Sequence, residues 1–293
     1  PEGHAPCATL RPLARPPPRV SLATTTAGPR VRILVIGGTR NLGHLLTLDL
    51  LAAGHAVTVL NRGVTPDELP GTVNRLRADR GDRAAMAAVL AGTTWDAVID
   101  TALYTGSEAA MVAELLTGRT GHYVLIGTGQ VYLVREGAPR PAREEDAAGP
   151  LMAAPPEGTR DHREWQYGVG KREAEEVLAT AHGEGRLACT TLRLPMIHSP
   201  RDHYGRLHNY FLRLRDGGPL VVPDDAGLTV RHVWVGDVVR AVLAVLDRGG
   251  RGEAFNVGQD ETLEHDECLA LLAETVGVAL RTVRVPRAAR AAE

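Results

Sequence analysis

The sequence predicts an α/β protein, a Rossmann-type doubly wound parallel sheet with a small C-terminal substrate-binding lobe. Three observations predict it. From residue 31 onward apolar strands alternate with amphipathic helices, the rhythm of repeated βα units. The strands are continuous apolar runs rather than alternating ones, as strands covered on both faces must be. A glycine turn, Gly37-Gly38-Thr39-Arg40-Asn41-Leu42-Gly43, joins the first strand to the first helix. Glycines there let the backbone turn tightly and approach a pyrophosphate, whose charge the helix N-terminus stabilises.

The elements follow in order. Val31-Arg32-Ile33-Leu34-Val35-Ile36 is the first strand. Leu42, Leu45, Leu46, Leu50 and Ala53 then recur at helical spacing and stop at Gly54. Ala56–Leu60 is the second strand and Val73–Leu76 the third. A helix through Ala84–Leu90 leads to the strand Ala97–Asp100, and a helix over Glu108–Leu116 leads to His122–Ile126. Residues 133–163 break this rhythm with Pro, Ala, Gly and charge, including Glu144-Glu145-Asp146 and Pro155-Pro156. So long a structureless loop reads as a functional lid or a disordered segment. Order resumes with a helix from Tyr167 to about His182, which carries Ala174, Val177, Leu178 and Ala181 on one face. The strand Ala188–Leu194 follows.

Beyond Pro195 the segments are shorter and mixed: Tyr210–Leu214, Leu220–Val222, His232–Val235, a helix over Val238–Leu246, Phe255–Val257 and a helix over Glu267–Val276. The expected organisation is a dinucleotide-binding domain over 31–195, then a segment over 196–293 that supplies the last sheet elements and the substrate lobe. Residues 1–30 hold seven prolines, four arginines and a single acid, Glu2. They are expected to be a disordered leader, since such a segment cannot bury enough surface to order itself.

Composition bounds the function. Forty-four per cent of the 293 residues are apolar but only 4% aromatic, so Ala, Val and Leu build the core. A formal charge of −2 gives no general attraction to nucleic acid or to an anionic membrane. Cys7, Cys189 and Cys268 show neither pairing nor metal-ligand spacing. With no apolar run near the roughly 20 residues that span a bilayer, a cytoplasmic protein is expected.

Lys171 is the only lysine, against thirty-two arginines. It stands four residues after Tyr167, in Tyr167-Gly168-Val169-Gly170-Lys171. With six tyrosines in the chain, that spacing arises by chance about two per cent of the time. A compact ammonium can sit beside a phenol in a way an always-charged, planar guanidinium cannot. The alternative is an exposed helix turn in which Lys171 pairs with Glu175. Upstream, Thr128 in Ile126-Gly127-Thr128-Gly129-Gln130-Val131-Tyr132 places a hydroxyl at the carboxyl end of a buried strand, able to bond a substrate carbonyl or carbinol. The second strand ends Leu60-Asn61-Arg62, without the acid that accepts from a ribose 2′-hydroxyl. Arg62 and Arg40 suit a 2′-phosphate instead, so NADP is favoured, with NAD the alternative. Asp79 and Arg80 are candidates for the adenine end.

Together these motifs resemble the extended and atypical short-chain dehydrogenase/reductases, the NAD(P)-dependent epimerase/dehydratase group. Further echoes are Leu192-Arg193-Leu194-Pro195, Gly217-Gly218-Pro219, His232-Val233-Trp234-Val235-Gly236-Asp237 and Gly252–Gly258. The resemblance covers roughly residues 31–285. It implies that Tyr167 is the proton donor or acceptor at the reacting oxygen. Lys171 would hold the nicotinamide ribose and lower the Tyr167 pKa, and Thr128 would orient the substrate oxygen. It also implies that Pro195 and Met196 lie beside the nicotinamide and Ala102-Leu103-Tyr104 along the cofactor.

Departures from that pattern narrow the substrate. Gly129 and Gln130 stand where dehydratases carry Asp and Glu, which excludes dehydration. Met196 and Ser199 replace an asparagine and a glycine used by many nucleotide-sugar enzymes. His198, His203 and His208 lie close in sequence, but Asp202 is the only nearby carboxylate, so no metal is expected. Arg201, Arg206, Arg213 and Arg215 read first as a charged surface face.

The expectation is an NADP-preferring oxidoreductase that interconverts a carbonyl and a secondary alcohol on a small molecule of the sugar or secondary-metabolite kind. A 4-epimerase of a nucleotide sugar that retains NAD is the alternative enzyme. A dinucleotide-sensing or RNA-associated protein on the same fold is the alternative outside catalysis. A homodimer is compatible with the resemblance.

Overall fold

The computed structural model describes residues 30–224, 227–249 and 252–286. The leader expected at the N-terminus therefore lies, up to residue 29, outside the described residues. The first half alternates strand and helix except where β3 follows β2 directly and α5 follows α4: β1 (Arg32–Ile36), α1 (Asn41–Ala52), β2 (Ala56–Asn61), β3 (Asn74–Arg77), α2 (Arg83–Leu90), β4 (Trp95–Asp100), α3 (Gly106–Leu116), β5 (Thr120–Thr128), the short α4 (Gln130–Leu133), α5 (Arg160–Gly183) and β6 (Cys189–Leu194). The second half adds β7 (Met196–His198), α6 (Arg206–Asp216), β8 (Leu220–Pro223), β9 (Thr229–Val230), β10 (His232–Trp234), α7 (Val235–Arg248), β11 (Ala254–Asn256), β12 (Leu263–Glu264), α8 (His265–Val276) and β13 (Thr282–Val285).

The seven-stranded sheet runs β3-β2-β1-β4-β5-β6-β11, every neighbouring pair parallel. The order 3-2-1-4-5-6 is that of the dinucleotide-binding fold, and its reversal between β1 and β4 opens a crevice at the strands' carboxyl ends. Because side chains alternate across a strand, Ile33 and Val35 join Leu46, Leu50, Val238 and Val242 on the face covered by α1 and α7. Leu34 and Ile36 join Met86, Val112, Tyr123 and Leu178 on the face covered by α2, α3 and α5. The apolar runs are thus buried twice over, which is why they read as continuous.

Leu214, Leu220, Val222, Leu269 and Ala273 form a separate small core where α6 meets α8. Parallel pairing of β8 with β13 closes it. β7 and β10 form a second parallel pair below the cleft.

Two expectations differ from the structure. α5 starts at Arg160 rather than at Tyr167, capped by the Thr159 hydroxyl, which accepts from the His162 N–H at 3.1 Å. Gly168 and Gly170 mark close approaches rather than a helix end. A Cβ on Gly168 would fall 2.5 Å from Val134, and one on Gly170 would fall 2.6 Å from the Tyr104 carbonyl oxygen. The 133–163 segment is not structureless either. It holds a bridge between Arg135 and Leu151, a 3-10 turn over Glu144–Ala147 and the first turn of α5. Side chains from β6, α5 and β11 fasten it, as described below.

Candidate active site

At the carboxyl ends of β1, β2, β4, β5 and β6 lies a cleft of about 2620 Å³. Its N-terminal wall is the glycine turn. A Cβ on Gly43 would sit 2.4 Å from the Gly37 carbonyl oxygen, so only glycine lets α1 start directly against the turn. Unlike α2, α3 and α5, which are capped by Asp82, Thr105 and Thr159, α1 has no side-chain cap and no acid in its first turn. Its free N–H groups and the positive end of its dipole open on the cleft through Arg40, Asn41, Leu42 and Gly43. An uncapped twelve-residue helix without an acid at this place fits a pyrophosphate.

The end of β2 continues that wall. The Asn61 amide donates to Thr39 Oγ1 at 3.2 Å, and its oxygen accepts from the Gly63 N–H at 2.9 Å and from Arg77. Asn61 thereby ties the two loops together. Arg40, bonded to Thr65, and Arg62, 4.0 Å from Asp79, flank the same corner.

Arg80, expected at the adenine end, turns inward. It pairs with Asp100, which is fully buried at the end of β4 and also accepts from the Tyr123 hydroxyl at 2.7 Å and from the Ala102 N–H at 2.9 Å. An isolated carboxylate there would be costly, so Arg80 is first of all its counter-ion. Leu103 and Gly38 also depart from expectation. The Leu103 side chain is buried in the core and Gly38 packs under the turn against Val59 and Thr47, so neither lines the cleft. The other expected residues, Gly37, Thr39, Arg40, Asn41, Leu42, Gly43, Asn61, Arg62, Asp79, Arg80, Ala102, Tyr104, Pro195 and Met196, do line it.

Thr128, Tyr167 and Lys171 meet at the cleft floor. Thr128 ends β5, its Oγ1 accepting from the Gln130 N–H at 3.2 Å. Tyr167 and Lys171 are one helical turn apart on α5, which puts them on one face. The exposed-turn alternative for Lys171 fails, because Lys171 is only 3% exposed. Its Nζ donates to the Leu103 carbonyl at 2.7 Å and to the Ile126 carbonyl at 2.9 Å, and lies 5.6 Å from the centre of the Tyr104 ring. Glu175 instead takes two hydrogen bonds from Arg193, at 2.9 and 2.7 Å. Burial lowers the Lys171 pKa to about 8, although the Asp100 and Glu175 carboxylates oppose the shift.

Tyr167 corrects one expectation. Burial pushes its phenol above the ordinary value, the adjacent Thr128 hydroxyl works against the rise, and the ring of Tyr104 stands 6.3 Å away. The Lys171 ammonium is bonded to the Leu103 and Ile126 carbonyls. The phenol is held protonated, the form that donates.

One network escaped the sequence reading. Arg193 Nη1 donates to the Tyr132 hydroxyl at 2.8 Å and to the Glu144 carbonyl at 2.7 Å, while the Tyr132 hydroxyl donates to Asn256 Oδ1 at 2.7 Å. The Asn256 N–H donates to Glu144 at 2.8 Å. This chain of bonds clips the 133–163 segment over the cleft beside Thr128. The signal was a charged residue inside the apolar strand Leu192-Arg193-Leu194, which needs a buried partner. Among the described residues no group of His, Cys, Asp and Glu is placed to hold a metal ion, and no helix is long and apolar enough to cross a membrane.

A Rossmann sheet with an uncapped α1, and with Thr, Tyr and Lys at its switch-point cleft, defines a dinucleotide-dependent enzyme. The chain belongs to the NAD-dependent epimerase/dehydratase family, whose profile matches residues 33–258. It is 27% identical over 262 residues to the 2'-dehydrokanamycin reductase of Streptomyces kanamyceticus, covering 87% of this chain and 70% of that protein. It is 28% identical over 259 residues to the chloroplast stem-loop binding protein of 41 kDa b of Arabidopsis thaliana, covering 82% of this chain but 62% of that protein. Its fold is that of the Bordetella bronchiseptica enzyme WbmG, solved in complex with NAD, with a TM-score of 0.71 at 18% identity over 90% of this chain and 84% of the other. The oxidoreductase reading from the sequence thus agrees with the family and with a reductase among its relatives.

Proposed function

We propose that the protein is an NADP-preferring reductase or dehydrogenase that interconverts a carbonyl and a secondary alcohol on a small molecule. The observation that carries this reading is the meeting of Thr128, Tyr167 and Lys171 at the floor of a cleft whose far wall is the uncapped α1. The glycine turn and α1 would hold the pyrophosphate. Arg40 and Arg62 suit a 2′-phosphate better than a free 2′-hydroxyl. When bound, the nicotinamide supplies or accepts the hydride. Thr128 Oγ1 orients the substrate oxygen. The Tyr167 phenol, protonated in this environment, hands its proton to that oxygen as the carbonyl is reduced, and takes it back in the reverse direction. Lys171, with two of its three donor positions given to carbonyls, keeps one donor and its charge for the cleft. Pro195 and Met196 shape the wall on the other side, and the clipped 133–163 segment keeps water from the reacting atoms.

Gly129 and Gln130 supply no carboxylate at the two positions after Thr128 to drive loss of water. The stem-loop binding relative suggests an RNA-associated role instead, but a net charge of −2 supports no extended phosphate footprint. Replacing Tyr167 with Phe separates the readings. Turnover of a panel of ketones with NADPH should fall by about 100-fold or more, since general acid catalysis contributes roughly 10²–10⁴-fold, while NADPH binding persists. Full activity in Tyr167→Phe would refute the mechanism. Mass spectrometry of whatever nucleotide copurifies checks the cofactor: exchangeable NADP supports the reductase, tightly retained NAD the epimerase.

A further inference from the structure

The β7–β10 pair carries a group that the hydride chemistry does not use. His198 Nε2 and His232 Nδ1 stand 2.6 Å apart, their ring centres 4.5 Å apart and their planes 29° from parallel, and His232 Nε2 lies 3.9 Å from Cys268 Sγ on α8. In the register of the pair His232 faces Met196, and the His232 carbonyl accepts from the Gln259 N–H at 2.8 Å. His232 therefore touches three elements: its ring meets β7 through His198 and α8 through Cys268, and its backbone carbonyl holds the rim segment at Gln259. The two nitrogens of His232 face different partners, so the three groups do not converge on one metal ion.

The proton count of this pair is constrained. A nitrogen–nitrogen hydrogen bond needs one N–H and one lone pair, so the bridge holds a single proton. His198 Nδ1 is buried without a partner. An orphaned buried N–H is rarer than an orphaned lone pair, so His198 carries its proton on Nε2 and donates to His232 Nδ1. The His232 Nε2–H then faces the Cys268 sulfur, whose thiol burial keeps protonated. A further proton has only two places to go. On His198 Nδ1 it would be a buried N–H with no acceptor; on His232 Nδ1 it would put two N–H groups head to head. Burial accordingly holds both imidazoles below their ordinary pKa. At His198 the Asp202 carboxylate opposes this and Arg206, itself paired with Asp202 at 3.3 Å, adds to it; at His232 the neighbouring His198 adds to it.

We propose that His198 and His232 are positioning residues. Their singly bridged neutral pair clamps β7 to β10 and so holds Pro195 and Met196 in place along the cleft wall, and uptake of a second proton releases the clamp. The consequence for the cofactor rests on the dinucleotide reading above; the proton count of the pair does not.

The test compares wild type with His198→Gln and His232→Ala. The glutamine amide can offer an N–H near the imidazole Nε2 position without titrating. With ¹⁵N-histidine labelling, the His198 and His232 ring nitrogens should stay neutral at pH 6.5 and then titrate together. Calorimetry with NADP⁺ between pH 8 and 5 should show wild-type affinity falling below pH 6.5 more steeply than that of His198→Gln, by up to about tenfold per pH unit for one linked proton. The nucleotide's own phosphate titration is common to both proteins and cancels in the comparison. His232→Ala, if folded, should bind weakly at every pH. Equal pH profiles for wild type and His198→Gln, or two imidazoles titrating independently near pH 6.5, would overturn the proposal. Absence of NADP⁺ binding at any pH would count against the cofactor reading, while the ring-nitrogen titration would still decide the pair.

Discussion

A single lysine in the chain makes its protonation directly measurable. Lys171 is 3% exposed and burial lowers its pKa from 10.5 to about 8. At pH 7 roughly one molecule in ten then carries a neutral amine, against well under one in a thousand for a solvated lysine. The linkage has a definite sign. The folded chain releases this proton near pH 8 while the unfolded chain keeps it to about 10.5, so stability rises with pH across that window. Below about pH 8 the full cost of burying the charge is present. A shift of this size corresponds to about 3 kcal/mol. Lysine labelled with ¹³C at Cε gives one resonance in this protein, and its midpoint should fall near 8. Denaturant unfolding of wild type and Lys171→Met at pH 7.5 and 10.5 supplies the energetic counterpart. The variant leaves the Leu103 and Ile126 carbonyls without their donor, but that loss is independent of pH and drops out of the comparison. Wild type should gain about 3 kcal/mol on the variant between the two pH values. A midpoint close to 10.5, or parallel pH dependence of the two proteins, would refute the buried position of the ammonium.

Two further substitutions probe the cleft. Arg193→Met leaves Glu175 buried without its guanidinium and should cost about 3–5 kcal/mol in urea unfolding. Much of that loss should return in the double variant with Glu175→Gln, and trypsin should cut the 133–163 segment faster in the single variant because Glu144 and Tyr132 lose their anchor. Arg40→Ala should raise the Kd for NADP by about tenfold, near 1.4 kcal/mol, with the Kd for NAD changed less than twofold. Equal losses for both nucleotides would mean that Arg40 does not meet the 2′-phosphate.

The fold was legible wherever burial was regular. Every strand of the main sheet that lies between two helical layers was readable from its apolar run, and the glycine turn marked the switch point. Boundaries failed where tertiary contacts outweigh local preference. The start of α5 was placed at Tyr167 instead of Arg160, and Gly168 and Gly170 sit inside it because Val134 and the Tyr104 carbonyl press against it. The loop over 133–163 looked featureless because its order comes from partners far away in the chain, such as Arg193 and Asn256. The same distance hid the His198–His232 bond, whose partners are thirty-four residues apart. Its neighbours in sequence, His203 and His208, drew attention to a cluster the fold does not form. The second partner of Arg80 was hidden for a related reason. Whether an arginine meets a ligand or a buried carboxylate depends on Asp100, which nothing local connects to it.

The isolation of Lys171 also has a structural explanation that no neighbouring residue type would satisfy. Its Nζ sits between two backbone carbonyls, of Leu103 and Ile126, that belong to adjacent strands or their exits. Three donors on a single small atom can serve both carbonyls and still leave one for the cleft. A planar guanidinium spreads its donors over a wide fork and stays charged at every working pH, so it would need more space and could not share a proton with its surroundings. The close approach of α5 to the β4 exit, which Gly170 makes feasible by leaving 2.6 Å between its absent Cβ and the Tyr104 oxygen, sets how near the ammonium comes to the Leu103 carbonyl. Gly170→Ala should therefore push the helix away and loosen the lysine before it affects Tyr167 or Thr128. The expected sign is a Lys171 midpoint moving back up toward 10.5 as water reaches Nζ, read from the same labelled resonance. An unchanged midpoint would show that the lysine pocket does not depend on the contact between α5 and the β4 exit.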